Sequence, residues 1–234
     1  MAKKSKSSKR RVLVLDVGGT HVKFELSGQR ERREFESGPR MSAKRMVSEV
    51  KRLTKDWDYD VISIGYPGLV VRGRVVADPH NLAPGWTGFD FQKAFGRPVK
   101  LVNDAVMQAI GSYKGGRMLF LGLGTGLGSA MIIDGMVEPM ELAHLPYREG
   151  KTFEQYAGAG GLQRLGKQKW RKHVLDIIDR LTAALEPEYV VLGGGNADKV
   201  GKLPRDVRPG GNDNAIQGGY KLWRQSERDR GLRK

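Results

Sequence analysis

Cysteine is absent from the 234 residues. That excludes disulfides, thiolate nucleophiles and cysteine-ligated zinc. Histidine is scarce, and His21, His80, His144 and His173 show neither HxH nor HxxxH spacing, so no structural transition-metal site is expected. No apolar run approaches the roughly 20 residues of a membrane-spanning helix. The opening MAKKSKSSKRR is charged, and the apolar VLVLDV behind it is too short for a signal peptide. A cytoplasmic protein with no membrane partner is the expectation. Acid is in deficit, with 26 Asp and Glu against 41 Lys and Arg and a net charge of +15. Six of those charges come from the first eleven residues, which hold no acid, so nine remain on the rest of the chain. A basic tail therefore cannot explain the balance. The folded body presents a positive surface that attracts polyanions, unless a basic proteome or solubility alone set the value.

Apolar residues make up 39% and aromatics 8% of the chain, ordinary for a globular protein and too rich for a disordered one. A chain of this length buries one substantial core or two small ones. Residues 1–10 read as a disordered basic tail. RVLVLDV, the turn GGT and HVKFELSG then give strand, glycine turn, strand. Residues 41–56 place Met41, Met46, Val50 and Leu53 on one helical face. DVISIGYPG predicts a buried strand, VVRGRVVADP a hairpin, and residues 81–96 a loop with a short helix. RPVKLVND predicts another strand, and AVMQAIGSYKGG a helix closed by glycine.

RMLFLGLGTGLGSAMIIDG repeats the opening plan of strand, glycine turn, strand. Residues 161–186 predict a long amphipathic helix, with Trp170, Val174, Ile177, Ile178, Leu181 and Leu185 on one side. EYVVLGGGNAD reads as a strand, a glycine loop and a further helix. Residues 214–230 read as helical despite Gly218 and Gly219. The recurring glycine hairpin predicts two related α/β domains facing across a cleft, an N-terminal one over 11–108 and a C-terminal one over 109–234, whose last helix packs back on the first.

Three glycine clusters end apolar strands. In Asp16-Val17-Gly18-Gly19-Thr20, backbone N–H groups can approach phosphate oxygens with no Cβ in the way. Asp16 is placed to hold Mg²⁺ directly or through water, and Thr20 and Lys23 offer a hydroxyl and a cation. A hairpin turn that needs glycine gives the same letters. Gly122-Leu123-Gly124-Thr125-Gly126-Leu127-Gly128 fits GxGxxG in no register and leads into a strand. That disfavours a dinucleotide site and favours a second phosphate hairpin. Gly193-Gly194-Gly195 is the third cluster. Asn103-Asp104 closes a strand and opens a helix. Taken alone, Asp104 reads as an N-cap, but ligands also bind at the carboxyl ends of strands in α/β proteins. A carboxylate there can take the proton of a hydroxyl attacking phosphorus, worth roughly 10²–10⁴-fold. Glu141, His144 and Glu154 offer donors and acceptors of the kind that bind paired sugar hydroxyls; each alone reads as surface, and their grouping favours a site.

DVGGTHVKF, GYPG, NLAPGW, LVNDA, LGTGLGSAMIIDG, ELAHL, FEQYAGAG and VVLGGGN stand in an order that resembles the repressor/open-reading-frame/kinase (ROK) family of sugar kinases. That family lies within the actin–hexokinase–Hsp70 superfamily, and its polyphosphate glucokinases are the most similar subgroup. The resemblance runs from about residue 12 to 223. It implies a two-domain actin-like ATPase (ribonuclease H-like) α/β fold and phosphoryl transfer to the 6-hydroxyl of glucose, with Mg²⁺ and with polyphosphate or ATP as donor. Asp16, Gly18, Gly19, Thr20 and Lys23 would surround the metal and the transferred phosphate. Gly124, Thr125 and Gly126 would form the second phosphate loop, with Gly193 and Gly194 on the donor side. Asn81, Asn103, Asp104, Glu141, His144 and Glu154 would bind the sugar, with Asp104 as base.

Many family members bind zinc through a cysteine cluster and the histidine matching His144. Here PYREGKT stands in that place, so no zinc is expected and His144 is left to the sugar. A compact stretch over 196–216 implies a reduced pocket for a nucleotide base. Nucleic acid is expected to bind only non-specifically, and nothing resembles the family's helix-turn-helix. A homodimer is common in the family, and no residue pattern here specifies one. The alternatives are an ATP-dependent kinase for mannose, fructose or an N-acetylhexosamine, and a non-catalytic sugar- or polyanion-binding protein.

Overall fold

The computed structural model describes residues 10–79, 81–211 and 213–231, with side chains described as far as Arg224. The expected basic tail, apart from Arg10, lies outside the described residues. VLVLDV and HVKFEL form β1 (Val12–Val17) and β2 (His21–Leu26), paired antiparallel from Leu13 opposite Leu26 to Val17 opposite Val22. β1 is buried along most of its length, as a central strand is. β2 alternates, and β3 (Arg32–Glu36) sends charged side chains outward at the edge. α1 (Ala43–Leu53) begins at Ser42, whose side chain accepts from the Arg45 N–H, and buries Ala43, Met46, Val47 and Val50. β4 (Val61–Tyr66) is wholly buried and runs parallel to β1. β5 (Val70–Val71) and β6 (Arg74–Val75) form a small hairpin. α2 (Phe91–Phe95) is capped by Asp90 and ends on left-handed Gly96, and β7 (Val99–Asn103) follows. The first sheet has the order β3-β2-β1-β4-β7.

α3 (Asp104–Ser112), β8 (Arg117–Leu123), β9 (Leu127–Ile133) and β10 (Met136–Met140) come next. A single 3-10 turn at Leu142–His144 leads to α4 (Phe153–Ala157) and α5 (Ala159–Leu185). β11 (Tyr189–Gly193), a 3-10 turn at Ala197–Val200, β12 (Val207–Pro209) and α6 (Asn214–Gly231) complete the chain. The second sheet has the order β10-β9-β8-β11-β12. β8 and β9 pair antiparallel, and β11 lies parallel to both β8 and β12. The glycine hairpin and its parallel neighbour therefore occur twice in the same plan. The chain divides into two compact units, Met1–Val102 with Leu222–Lys234, and Asn103–Lys221. One core gathers β1, β2, β4 and α1 with Trp57 and Trp86; the other gathers β8, β11 and α5 with Trp170.

Several elements differ from the reading of the sequence. α3 ends at extended Tyr113 rather than on a glycine, and positive-φ Gly115 and Gly116 turn the chain into β8 only afterwards. α5 starts earlier and is broken at Gly166, where φ is 71° and ψ 158°. Past Gly195 the chain makes one 3-10 turn rather than a full helix. β3, β10 and β12 were not expected; all three are short outer strands with mostly exposed or half-buried residues, and carry little apolar pattern.

Gly218, which weakens α6 as a helix, has a packing role. A Cβ at Gly218 would overlap the carbonyl oxygen of Met107, and one at Gly111 the carbonyl oxygen of Asn214. The first turns of α6 thus lie backbone to backbone on α3. Lys221 closes the contact, its ammonium donating to the carbonyls of Ile110 (2.9 Å) and Gly111 (2.8 Å). Gly218→Ala is expected to lower unfolding stability by about 1–3 kcal/mol in denaturant titration. Gly160→Ala, on an exposed helical site with nothing within 4 Å of the added Cβ, is expected to be neutral or to stabilise by up to about 1 kcal/mol.

Candidate active site

In the first unit the β1–β2 turn is held by its carbonyls. Gly18 donates to the His21 carbonyl at 2.9 Å, Ser37 donates its hydroxyl to the Gly18 carbonyl at 2.6 Å, and the Ser37 N–H donates to the Thr20 carbonyl at 2.8 Å. The N–H groups of Gly19 and Thr20 donate to no acceptor among the described residues. Two successive amides at a strand end are thereby left open to an anion. Asp16 is half-buried, one residue before the end of β1, directly across from Lys23 on β2 and beside Gly65 on β4. Burial pushes its carboxyl above the ordinary value, against the opposing pull first of Lys23 and then of Arg32. Among the described residues no three His, Asp or Glu gather into a metal cage. A single recessed carboxylate next to open amides fits Mg²⁺, which takes one or two carboxylates and completes its shell with water and phosphate oxygens.

Asn81 lies against this turn, since a Cβ on Gly19 would come 3.4 Å from the Asn81 Cβ. The loop that carries Asn81 hangs on Asp78, a residue the sequence reading passed over. Asp78 accepts from the N–H groups of Trp86 (2.8 Å), Thr87 (3.0 Å) and Gly85 (3.3 Å). Trp86 is buried and donates its indole N–H to the Met41 carbonyl at 3.1 Å. Tyr66 donates to the Ala77 carbonyl at 2.9 Å. An acid ahead of a Pro- and Gly-containing loop is the sequence signal for such a knot.

In the second unit the candidate residues converge on the start of β9. The carboxylate of Glu154 accepts from the Leu127 N–H at 3.3 Å and lies against Gly126, where any Cβ would overlap it. Ala105 sits against Gly128, with 2.8 Å between its Cβ and one built on the glycine, so the first turn of α3 rests there. Ser129 donates its hydroxyl to the Met140 carbonyl (2.8 Å) and accepts from the Leu142 N–H (3.2 Å), which fixes the segment of Glu141 and His144. Glu141 and His144 are exposed. The reading of Asp104 as an N-cap is corrected: Asn103 is the cap, accepting from the Val106 N–H at 3.2 Å, and Asp104 is the first helical residue, its carboxylate accepting from the Ala105 N–H at 2.8 Å. The amide oxygen of Asn103 is therefore engaged in capping.

The second glycine turn has its carbonyls tied as the first does. Gly124 accepts from Ala159 N–H (3.2 Å) and from Asn196 Nδ2 (3.1 Å), Thr125 from Ala159 N–H (3.1 Å), and Gly126 from Gly124 N–H (3.1 Å). The N–H groups of Thr125 and Gly126 again find no acceptor among the described residues, and the same holds for Gly194 and Gly195. Gly194 has φ 84°, and a Cβ there would stand 2.5 Å from the Leu123 carbonyl, so glycine alone keeps the third cluster pressed on the second. Asn196 and Ala159 were also missed in the sequence, because their contribution is to hold carbonyls from afar. In PYREGKT, Tyr147 donates to Asp176 (2.7 Å) and has His173 Nδ1 at 2.9 Å. Burial and then Arg148 hold His173 below its ordinary value. The segment after His144 is anchored by this aromatic cluster.

Comparison with known proteins places this arrangement among relatives. A family model described as ROK family matches residues 12–138. The chain is 29% identical over 156 residues to the polyphosphate glucokinase of Mycobacterium tuberculosis (strain ATCC 25177 / H37Ra), covering 60% of this chain and 58% of that one. It is 30% identical over 145 residues to the kanosamine kinase of Amycolatopsis mediterranei (strain S699), covering 54% of this chain and 47% of that one. The matched stretch thus spans about half the length of these curated relatives. Among solved structures, the inorganic polyphosphate/ATP-glucomannokinase from Arthrobacter sp. strain KM superposes with a TM-score of 0.77 at 24% identity, covering 90% of this chain and 96% of that one. A ROK family glucokinase from Streptomyces griseus, in complex with glucose and AMPPNP, gives a TM-score of 0.75 at 18% identity, covering 92% and 99%.

The Asp78 knot predicts a titration. Bonds from the Thr87 and Trp86 N–H groups, ahead of weaker opposing desolvation, hold its carboxyl below the ordinary 3.8. Because the folded value is depressed, its contribution to stability is present above the unfolded pKa and is lost as pH falls through the folded one. The amide proton shifts of Trp86 and Thr87 are expected to titrate together with a midpoint below 3.8. Asp78→Ala is expected to abolish both transitions.

Proposed function

The chain belongs to the ROK family, and from that membership we propose that it is a sugar kinase that transfers a phosphoryl group from polyphosphate or ATP to the 6-hydroxyl of glucose, with Asp104 as general base. Its α/β fold is that of the actin-like ATPases. The observation that carries the reading is the gathering at the start of β9 of a turn with open amides, the helix that begins with Asp104, and the Glu141–His144 segment.

In this reading Asp104 accepts the proton of the sugar hydroxyl as its oxygen attacks phosphorus, and the shortened polyphosphate or ADP leaves. The open amides of Thr125 and Gly126 and of Gly19 and Thr20 donate to phosphate oxygens as charge develops, a preorganised stabilisation that water does not match. Mg²⁺, with Asp16 as its protein ligand, would neutralise donor phosphate charge. Lys23 adds a cation opposite Asp16. Asn81, Glu141 and His144 orient the hexose, and Asn103 holds the helix start in place. Glu154 was assigned to the sugar; its bond to Leu127 makes it first a brace of the phosphate turn, with one carboxylate oxygen engaged there. The surplus of basic charge supports polyphosphate as donor, because several phosphates bound together release counterions. The likeness to a kanosamine kinase supports a second reading of the same chemistry on another hexose.

Purified protein with Mg²⁺, glucose and either donor is expected to form the sugar phosphate. Asp104→Asn is expected to lower kcat by roughly 10²–10⁴-fold with a much smaller change in the KM for glucose. Polyphosphate-dependent turnover is expected to fall more steeply with salt than ATP-dependent turnover. Failure of both donors across a panel of hexoses would promote a sugar- or polyanion-binding role instead.

A further inference from the structure

The first unit carries a cavity that the phosphoryl-transfer reading does not use. It opens between the last turn of α1, the 54–59 segment and the end of α2, with a volume of about 300 Å³, at the lower end of the range for small-ligand sites. Trp57, Tyr59 and Phe95 supply aromatic surface, and Lys51, Lys55 and Arg97 supply cations. Its neighbour Asp60 donates its N–H to the Arg11 carbonyl at 2.9 Å, which fixes this end of the segment at the start of β1. Asp16 stands five residues further along that strand, roughly 16 Å away at ~3.3 Å per residue. The cavity therefore belongs to the opposite end of the sheet from the β1–β2 turn.

Its charge is unbalanced. Lys51, Lys55 and Arg97 make no ion pair among the described residues. The one acid in the lining, Asp58, is paired with Arg11 at 2.7 Å. Asp56, which feels Lys55, is committed to Arg33 through two bonds of 2.7 Å that hold its carboxyl at about 2. The Thr54 hydroxyl is spent on the Val50 carbonyl at 2.8 Å. The carboxyl ends of α1 and α2 account for some of the positive charge, but a helix end supplies only about half an elementary charge. Three full cations against two such ends leave a net positive cavity. Arg97 is also held in place, donating its Nε–H to the Tyr59 carbonyl at 3.1 Å.

We propose that this cavity is a binding site for a multiply charged phosphate compound, separate from the site of phosphoryl transfer. Cations that make no ion pair among the described residues suit an anion of two or more charges, and phosphate accepts several charge-assisted bonds at once. A compound seated there is too far from Asp16 to react, so the site recruits or regulates. The proposal does not depend on the chain being a kinase.

The test is a titration of the full chain with sodium tripolyphosphate at fixed ionic strength and without Mg²⁺, followed by tryptophan fluorescence. A saturable change is expected, which Trp57→Phe removes and which Lys51→Ala/Lys55→Ala shifts to affinity weaker by roughly tenfold or more. Arg97→Gln serves as an independent variant with the same expected direction. Glucose 6-phosphate and orthophosphate are titrated in parallel. Competition by glucose 6-phosphate assigns the site to a phosphate monoester, and competition by neither assigns it to the phosphate chain. The absence of any saturable change, a change that survives Trp57→Phe, or an affinity unaltered in the double lysine variant would overturn the proposal, whatever the outcome of the kinase assay.

Discussion

A tight turn at the end of a buried strand has more backbone donors than it can satisfy, and the proposed phosphoryl transfer rests on that imbalance. A buried amide without a partner costs about 1–3 kcal/mol, so such groups persist where water or a ligand reaches them. In both glycine hairpins the carbonyls are tied down: Gly18 by Ser37, Gly124 by Ala159 and Asn196. What remains is a pair of adjacent N–H groups in each turn. Ser37 braces the first turn, and Glu154, Asn196 and the start of α5 brace the second, each leaving the adjacent donors open.

The two units repeat one plan and differ at one residue pair of the hairpin. Asp16 faces Lys23 across the first hairpin, and the corresponding pair in the second is Gly122 and Gly128. The recessed carboxylate suited to a cation thus occurs once. Where a lysine stands in the first hairpin, Gly128 admits Ala105 and so seats the first turn of α3 on β9. The loss of one side chain in the second hairpin makes room for the helix that begins with Asp104.

Strongly patterned elements were legible in the sequence. The buried strands β1, β4, β8 and β11 carry largely apolar runs, and α1 and α5 carry clear helical spacing. The outer strands β3, β10 and β12 were missed because pairing at a sheet edge needs little apolar signal. Residues 214–230 read as helical despite Gly218, and the structure bears this out; the cost of that glycine to α6 is offset by backbone contact with α3 that no local pattern announces. At the site, the glycine clusters and Asp104 were visible as motifs. The roles of Asp78, Ser37, Asn196 and Ala159 were not, because each holds a backbone group distant in sequence. The split between Asn103 as cap and Asp104 as first helical residue is a matter of one residue, finer than spacing resolves.

The central claim is that the open amides of the two turns donate hydrogen bonds to phosphate oxygens. The most direct measurement is the amide proton shift of Thr20 and Thr125 as Mg²⁺ and tripolyphosphate are added together to the full chain. The account predicts saturable downfield movement of each. Saturation with neither resonance moved would contradict it.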